Sequence, residues 1–171
     1  METKTQQQKL EVEQLPPREG ENIIIERWEY MKDFKSFFPM LKEMLAAIYG
    51  SAQRGLKIYS ERYDAINYYK HYRATPNSYL LIAKNKRGEP IGFLYARRKK
   101  NHTYLYDIYV KPAYRRQGVA RKLIQTLEKW AGGPIRADTH DGALEAFKKM
   151  GFKVLKEYLE DGIKWYLIEK E

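Results

Sequence analysis

Arg115-Arg116-Gln117-Gly118-Val119-Ala120 is the stretch on which the fold turns. Upstream, Tyr104 to Val110 is dense in aromatic and β-branched residues and reads as a strand that Pro112 ends. Downstream, Val119, Leu123, Ile124, Leu127 and Ala131 fall on one face of a helix running from Gln117 to Trp130. The hexapeptide therefore sits where a strand hands over to a helix. A helix start carries unpaired N–H groups and the positive end of the helix dipole. Gly118 lets a ligand approach the backbone, Ala120 is small, and Arg115, Arg116, Arg121 and Lys122 add positive charge. The segment reads as a backbone cradle for a phosphate-bearing cofactor, with a shape that suits a pyrophosphate.

The rest of the chain reads outward from this point. Ser78 to Lys84 and Ile91 to Arg98 are strands joined by the turn-rich Asn85 to Pro90, and with Tyr104 to Val110 they form a meander. Before them come a strand in Glu21 to Tyr30, a helix with Pro39 in or near its first turn that ends at Gly50, and a helix from Gly55 to Arg73. After the cradle helix, Gly132-Gly133-Pro134 is a break and Ile135 to Thr139 is a short strand. Asp141 to Met150 is a helix stopped by Gly151, and Phe152 to Glu160 with Ile163 to Glu169 flank the hairpin signal Asp161-Gly162. The order is β-α-α-β-β-β-α-β-α-β-β. Residues 1–20 read as a polar, flexible arm and 21–171 as one domain.

Composition narrows the function. The 171 residues include no cysteine, which excludes a thiol nucleophile and disulfides. No apolar run is long enough for a membrane span and the N-terminus lacks a signal-peptide pattern, so a cytoplasmic protein without membrane contact is expected. The net charge of +10 suits an anionic partner, whether a phosphorylated cofactor or nucleic acid. Asp138, His140 and Asp141 lie close in sequence, but one loop of three such residues does not specify a metal site, and none is assigned.

Two motifs resemble the GNAT superfamily of N-acetyltransferases. Arg115 to Ala120 is similar to its Gln/Arg-x-x-Gly-x-Gly/Ala signature. Ala143, Phe147 and Gly151-Phe152 are similar to its second signature, a helix beginning with Ala, carrying an aromatic residue and closing on Gly-Phe. The resemblance covers about Glu21 to the C-terminus. It implies an α/β (α+β) fold whose mixed sheet is splayed at its centre and flanked by helices, with acetyl-CoA in the opening. The backbone of Ile108, Tyr109 and Val110 would pair with the pantetheine arm. The N–H groups of Gln117, Gly118, Val119 and Ala120 would hold the pyrophosphate, and a backbone N–H near Val110 would stabilise the developing oxyanion. An amine would attack directly.

An attacking amine must lose a proton. Asp107 matches an acidic position of diamine acetyltransferases, which implies that it binds or deprotonates a cationic amine. Many relatives have Glu where Tyr104 stands and a Tyr acid where Phe147 stands. Tyr104 or Tyr106 could then supply the missing proton, or water could. His140 replaces a common Asn and is expected at the pantetheine or the helix start. Tyr59, Tyr63, Tyr68, Tyr69, Tyr72, Tyr158 and Trp165 could wall the acceptor site, and Glu61, Asp64, Glu157, Glu160 and Asp161 could receive a cation. The acceptor is a small-molecule amine or a protein or peptide amine. A homodimer is compatible with the family. Two further readings stay open: a non-catalytic acyl-CoA-binding regulator and a basic nucleic-acid-binding protein.

Overall fold

A computed structural model describes residues 22–28, 34–62, 72 and 75–171. The elements are β1 (Ile24–Trp28), α1 (Phe34–Tyr49), α2 (Ala52–Arg62), β2 (Ser78–Lys84), β3 (Pro90–Arg98), β4 (Thr103–Val110), α3 (Val119–Ala131), β5 (Ile135–His140), α4 (Asp141–Lys149), β6 (Lys153–Glu160) and β7 (Ile163–Lys170). This is the order expected from the sequence. The arm over residues 1–20 lies outside the described residues, as do Tyr63, Asp64, Tyr68 and Tyr69.

The strands form one sheet in the order β1-β2-β3-β4-β5-β7-β6. All neighbours are antiparallel except β4 and β5, which α3 connects as a parallel crossover. Each face carries its own core. On one, Leu123, Ile124 and Leu127 of α3 and Phe147 of α4 bury against Leu81, Leu94 and Ile168. Each such aliphatic side chain contributes about 1.5–3 kcal/mol. On the other, Phe37, Leu41 and Leu45 of α1 and Tyr59 of α2 pack on Phe93, Tyr95 and Trp165.

Several boundaries differ from the sequence reading for identifiable reasons. α2 begins at Ala52, three residues early, because Ser51 Oγ accepts the Arg54 N–H at 3.1 Å and caps the helix. It is described as far as Arg62. Gly55 then lies inside the helix, where an added Cβ would stand 2.6 Å from Leu45 Cβ. Glycine there allows α2 to lie close on α1. Pro39 is the sixth residue of α1, in its second turn and so near its first, and is exposed on the outer side. Pro112, which ends β4, opens a 3-10 turn over Pro112–Tyr114. Asp161 and Gly162 both have positive φ, 55° and 72°, as the tight hairpin between β6 and β7 requires.

Two irregularities in β4 shape the site. Tyr95 pairs with Asp107 and Ala96 with Leu105, so Tyr106 is an extra residue, a β-bulge. The bulge breaks the alternation of faces: Leu105 packs in the α3 core, while Tyr109 enters the α1–α2 core and Asp107 meets Tyr59 there. In addition, β4 and β5 pair over only Thr103↔Ile135, Tyr104↔Arg136 and Leu105↔Ala137. Beyond the bulge the two strands part. This is the central splay expected of the sheet.

Candidate active site

The splay opens a cavity of about 410 Å³. Its walls come from both halves of the sheet and from α1, α2 and α4, including Tyr59, Tyr104, Tyr106, Asp107, Ile108, Asp138, His140, Phe147, Tyr158 and Trp165. It therefore gathers Tyr104, Tyr106, Asp107, Ile108, His140 and Phe147, and from the expected acceptor walls Tyr59, Tyr158, Glu160 and Trp165, ten residues singled out in the sequence. The cofactor candidates Tyr109, Val110 and Arg115 to Arg121 are not among its lining residues and lie along the end of β4 and the start of α3, and of the acceptor candidates, Tyr72, Glu61, Glu157 and Asp161 are not among them either.

Asp107 is 4% exposed. Its Oδ1 accepts from Tyr59 Oη at 2.5 Å and its Oδ2 from Tyr72 Oη at 2.8 Å. Two phenols from the helical side thus fix a buried carboxylate at the bulge. A second carboxylate held by two phenols, half-buried, is named in the sequence only among residues for which no metal site is assigned. Asp138 on β5 accepts from Tyr158 Oη of β6 at 2.6 Å and from Tyr104 Oη of β4. This trio bridges the splay. Its only sequence signal is that Asp138 alternates with the buried Ala137 and Thr139, and that signal does not say which tyrosine reaches it.

Tyr106 belongs to an aromatic and cationic stack. Its ring is 4.7 Å from Tyr104 and 5.8 Å from Tyr95, with the cations of Arg97 and Lys99 at 5.4 and 5.5 Å. Tyr109 donates to Glu43 Oε2 at 2.8 Å, and burial together with that carboxylate pushes its phenol up to about 12. It stays protonated at neutral pH and ties β4 to α1. Phe147 packs edge-on against Phe152 at 5.2 Å and brings no proton to the cavity wall.

His140 sits at the helix start. It is the N-cap of α4, and its Nδ1 accepts the Gly142 N–H at 3.2 Å. Burial lowers its pKa, against a smaller opposing effect of Asp141. Asp141 itself accepts from Tyr166 at 2.5 Å, so Asp138, His140 and Asp141 face three different partners. Because the folded pKa is depressed, the stability tied to neutral His140 is full above about pH 6.5 and is lost as pH falls below that value. Asn at this position caps the same N–H without titrating. His140→Asn is therefore expected to flatten the decline of thermal stability between neutral and mildly acidic pH. An unchanged slope in melts across that range would remove His140 as its source.

The cradle is built at the other end of β4. Gly118 is the N-cap of α3 with φ 80° and ψ 10°, a left-handed conformation that glycine adopts without strain. The first-turn N–H groups of Val119, Ala120 and Arg121 precede the first intrahelical bond, which Lys122 N–H makes to the Gly118 carbonyl at 3.0 Å. The four nearby cations divide into two pairs. Arg115 Nε donates back to the Val110 carbonyl at 2.9 Å and stacks over Tyr109, and Lys122 Nζ donates to the Ile23 carbonyl at 2.5 Å. Arg116, itself at φ 61°, and Arg121 are exposed. The loop is held from below by Asn85, whose Nδ2 donates to Tyr114 Oη at 3.2 Å.

The end of β4 unpaired with β5, which lines the cavity, leads through the 3-10 turn to the helix-start cradle. The profile of the acetyltransferase (GNAT) family matches residues 38–152, and the chain belongs to that family. Among solved structures it is similar to the PaiA N-acetyltransferase from Thermoplasma acidophilum in complex with coenzyme A. The TM-score is 0.67 and the identity 20%, over 87% of this chain and 98% of that one. It is also similar to an aminoglycoside 6′-N-acetyltransferase complexed with coenzyme A, with TM-score 0.58 and 15% identity over 86% and 96% of the two chains. For a nourseothricin acetyltransferase the values are 0.52 and 21%, and the match spans 57% of this chain and 66% of that one. These likenesses are in fold. No curated protein matches the chain. Among the described residues no helix is long and apolar enough to cross a membrane.

Proposed function

We propose that the chain is an N-acetyltransferase that uses acetyl-CoA and acetylates a cationic amine. The observation that carries this reading is the parting of β4 from β5 directly after Leu105↔Ala137, with the buried Asp107 at the mouth of the opening and the Gly118 cradle beyond it. The residues fit the cofactor: β4 has backbone from Ile108 to Val110 with no β5 partner, and the α3 start offers N–H groups under a glycine held left-handed. Ile108 to Val110 would hold the pantetheine arm, and Val119 to Arg121 with the exposed Arg116 would hold the pyrophosphate. Acetyl-CoA supplies an acetyl group already activated as a thioester.

The acceptor side follows from charge. The protein carries +10, yet among the described residues the cavity wall contributes Asp107, Asp138 and Glu160 against one lysine, Lys99. An ammonium group is drawn to such a wall, and the rings of Tyr59, Tyr104, Tyr106 and Trp165 surround it. In this reading Asp107 holds the ammonium and takes one proton from its nitrogen, which exposes the lone pair for attack. Tyr59 and Tyr72 keep that carboxylate in place. Asp138, oriented by Tyr104 and Tyr158, gives the same cation a second contact.

Incubation with acetyl-CoA and a panel of small amines and peptides should release free thiol in proportion to acetylated product. No release above hydrolysis across the panel ends the proposal. The alternative of a non-catalytic acyl-CoA-binding regulator draws on Phe147, which stands where a proton donor is expected. It requires thioester binding with no turnover on any amine, and Phe147→Tyr should then produce none. A large rate gain in that variant would exclude a purely sensory role.

A further inference from the structure

The carboxylates of the cavity have a part in acetyl transfer; its lysine has none so far. Lys99 stands in the turn between β3 and β4, where its N–H donates to the His102 carbonyl at 2.7 Å. It is exposed and still lines the cavity. Its Nζ lies 5.5 Å from the centre of the Tyr106 ring, and among the described residues it forms no ion pair. Arg97 is held against the same ring at 5.4 Å, with Nε donating to the buried Tyr95 Oη at 2.8 Å. Tyr106 is thus flanked by two cations, and Arg98 and Lys100 are the chain neighbours of Lys99. A bare ammonium group is repelled from this end of the cavity.

Charge is ordered along the strands. The β3–β4 turn with its cations lies at the Thr103↔Ile135 end of the β4–β5 pairing. The last pair is Leu105↔Ala137; Asp138 follows it by one residue and Asp107 by two. Glu160 is farther still, on β6 past Tyr158, whose partner Trp165 also pairs with His140 at the end of β5. Depth follows the same order at the first three: Lys99 is exposed, Asp138 half-buried and Asp107 buried.

Two rings separate the cation from the nearer carboxylate. Lys99 meets Tyr106, Tyr106 meets Tyr104 edge-on at 4.7 Å, and Tyr104 donates to Asp138. Lys99 and Asp138 therefore do not neutralise each other, and the cavity wall keeps a positive rim and a negative interior. A ligand complementary to both carries an ammonium at one end and an anion at the other, with an aliphatic linker along the rings.

We infer that the acceptor is a small amine that also bears an anionic group, a carboxylate or a phosphate, and that Lys99 selects for it by meeting that anion at the cavity rim. The inference rests on the acetyl-transfer reading for the amine end alone.

Four amines of one chain length test this: pentylamine, diaminopentane, aminopentanoate and aminopentyl phosphate, each with an amine at the chain end, with shorter and longer sets alongside. Calorimetric titration of each into the full chain with coenzyme A gives affinity, and steady-state kinetics with acetyl-CoA gives KM and kcat. The wild type should bind the anion-tailed amines about tenfold more tightly than pentylamine, and diaminopentane no better than pentylamine. The preference should appear in KM and not in kcat. Comparison of the carboxylate with the phosphate shows which anion is preferred. Lys99→Gln should bring the ratio of anion-tailed to pentylamine affinity down to about one, and Lys99→Glu should invert it, so that diaminopentane binds best. Because Lys99 is exposed, both variants should keep the fold. Equal wild-type affinity for pentylamine and the anion-tailed amines, or a preference that persists in Lys99→Glu, would overturn the inference even where acetyl transfer occurs. Lys99-dependent binding of the anion-tailed amines without thiol release would uphold it and count against acetyl transfer, so the two fail separately.

Discussion

Gly118→Glu is expected to lower coenzyme A affinity by about 100-fold or more while the protein stays folded. Two effects add. Gly118 holds φ 80°, and a residue with a Cβ pays roughly 1–2 kcal/mol in the left-handed region. The new carboxylate also stands at the positive end of α3, the place proposed for a doubly charged pyrophosphate, and repels it. Gly118→Asn separates the effects. Asparagine tolerates the left-handed conformation and adds no charge, so it should cost only a small part of the affinity. Calorimetric titration with coenzyme A measures both variants, and circular dichroism confirms their fold. A folded Gly118→Glu protein with wild-type affinity would remove the cradle from the site.

The cradle was legible because its physics is local. A strand, a proline, a glycine and an amphipathic helix in succession need no distant residue to be recognised, and α3 starts within two residues of the expected position. The order of elements was legible for the same reason, since each carries its own period and its own stops. What could not be read were matters of register. The bulge at Tyr106 depends on how β4 lies against β3, and it alone sends Asp107 to the face opposite Leu105. Nothing in the spacing of Tyr104 to Val110 reveals it. The same holds for Asp138. Its partners come from β4 and β6, 34 and 20 residues away, and the sequence offers 15 tyrosines for the two places. Ser51 was a plainer omission, a cap residue directly before a helical pattern.

The same register gives Asp107 its expected weight in the chemistry. Asp107→Asn should reduce kcat/KM for the amine by about 10²–10⁴-fold, the range for loss of a positioned base, and leave coenzyme A affinity within about twofold. The geometry explains why even this near-isosteric change is severe. A carboxylate accepts on both oxygens, and Tyr59 and Tyr72 donate one hydrogen bond to each. An amide keeps one acceptor and turns the other position into a donor, so one phenol must rotate to accept instead. The cation site loses its charge and part of its orientation together. Asp107→Ala differs in kind. It leaves both phenols facing a buried site without their acceptor and should also lower folding stability by about 1–3 kcal/mol. Steady-state kinetics in the amine, coenzyme A titration and denaturant melts distinguish the outcomes. A loss in kcat/KM for the amine in Asp107→Asn, with coenzyme A affinity and stability unchanged, marks Asp107 as the group that meets the amine. If both variants lost stability and neither lost turnover, Asp107 would be a structural carboxylate holding α2 to the sheet. The acceptor's proton would then pass to Asp138, the other carboxylate in the cavity oriented by two tyrosines.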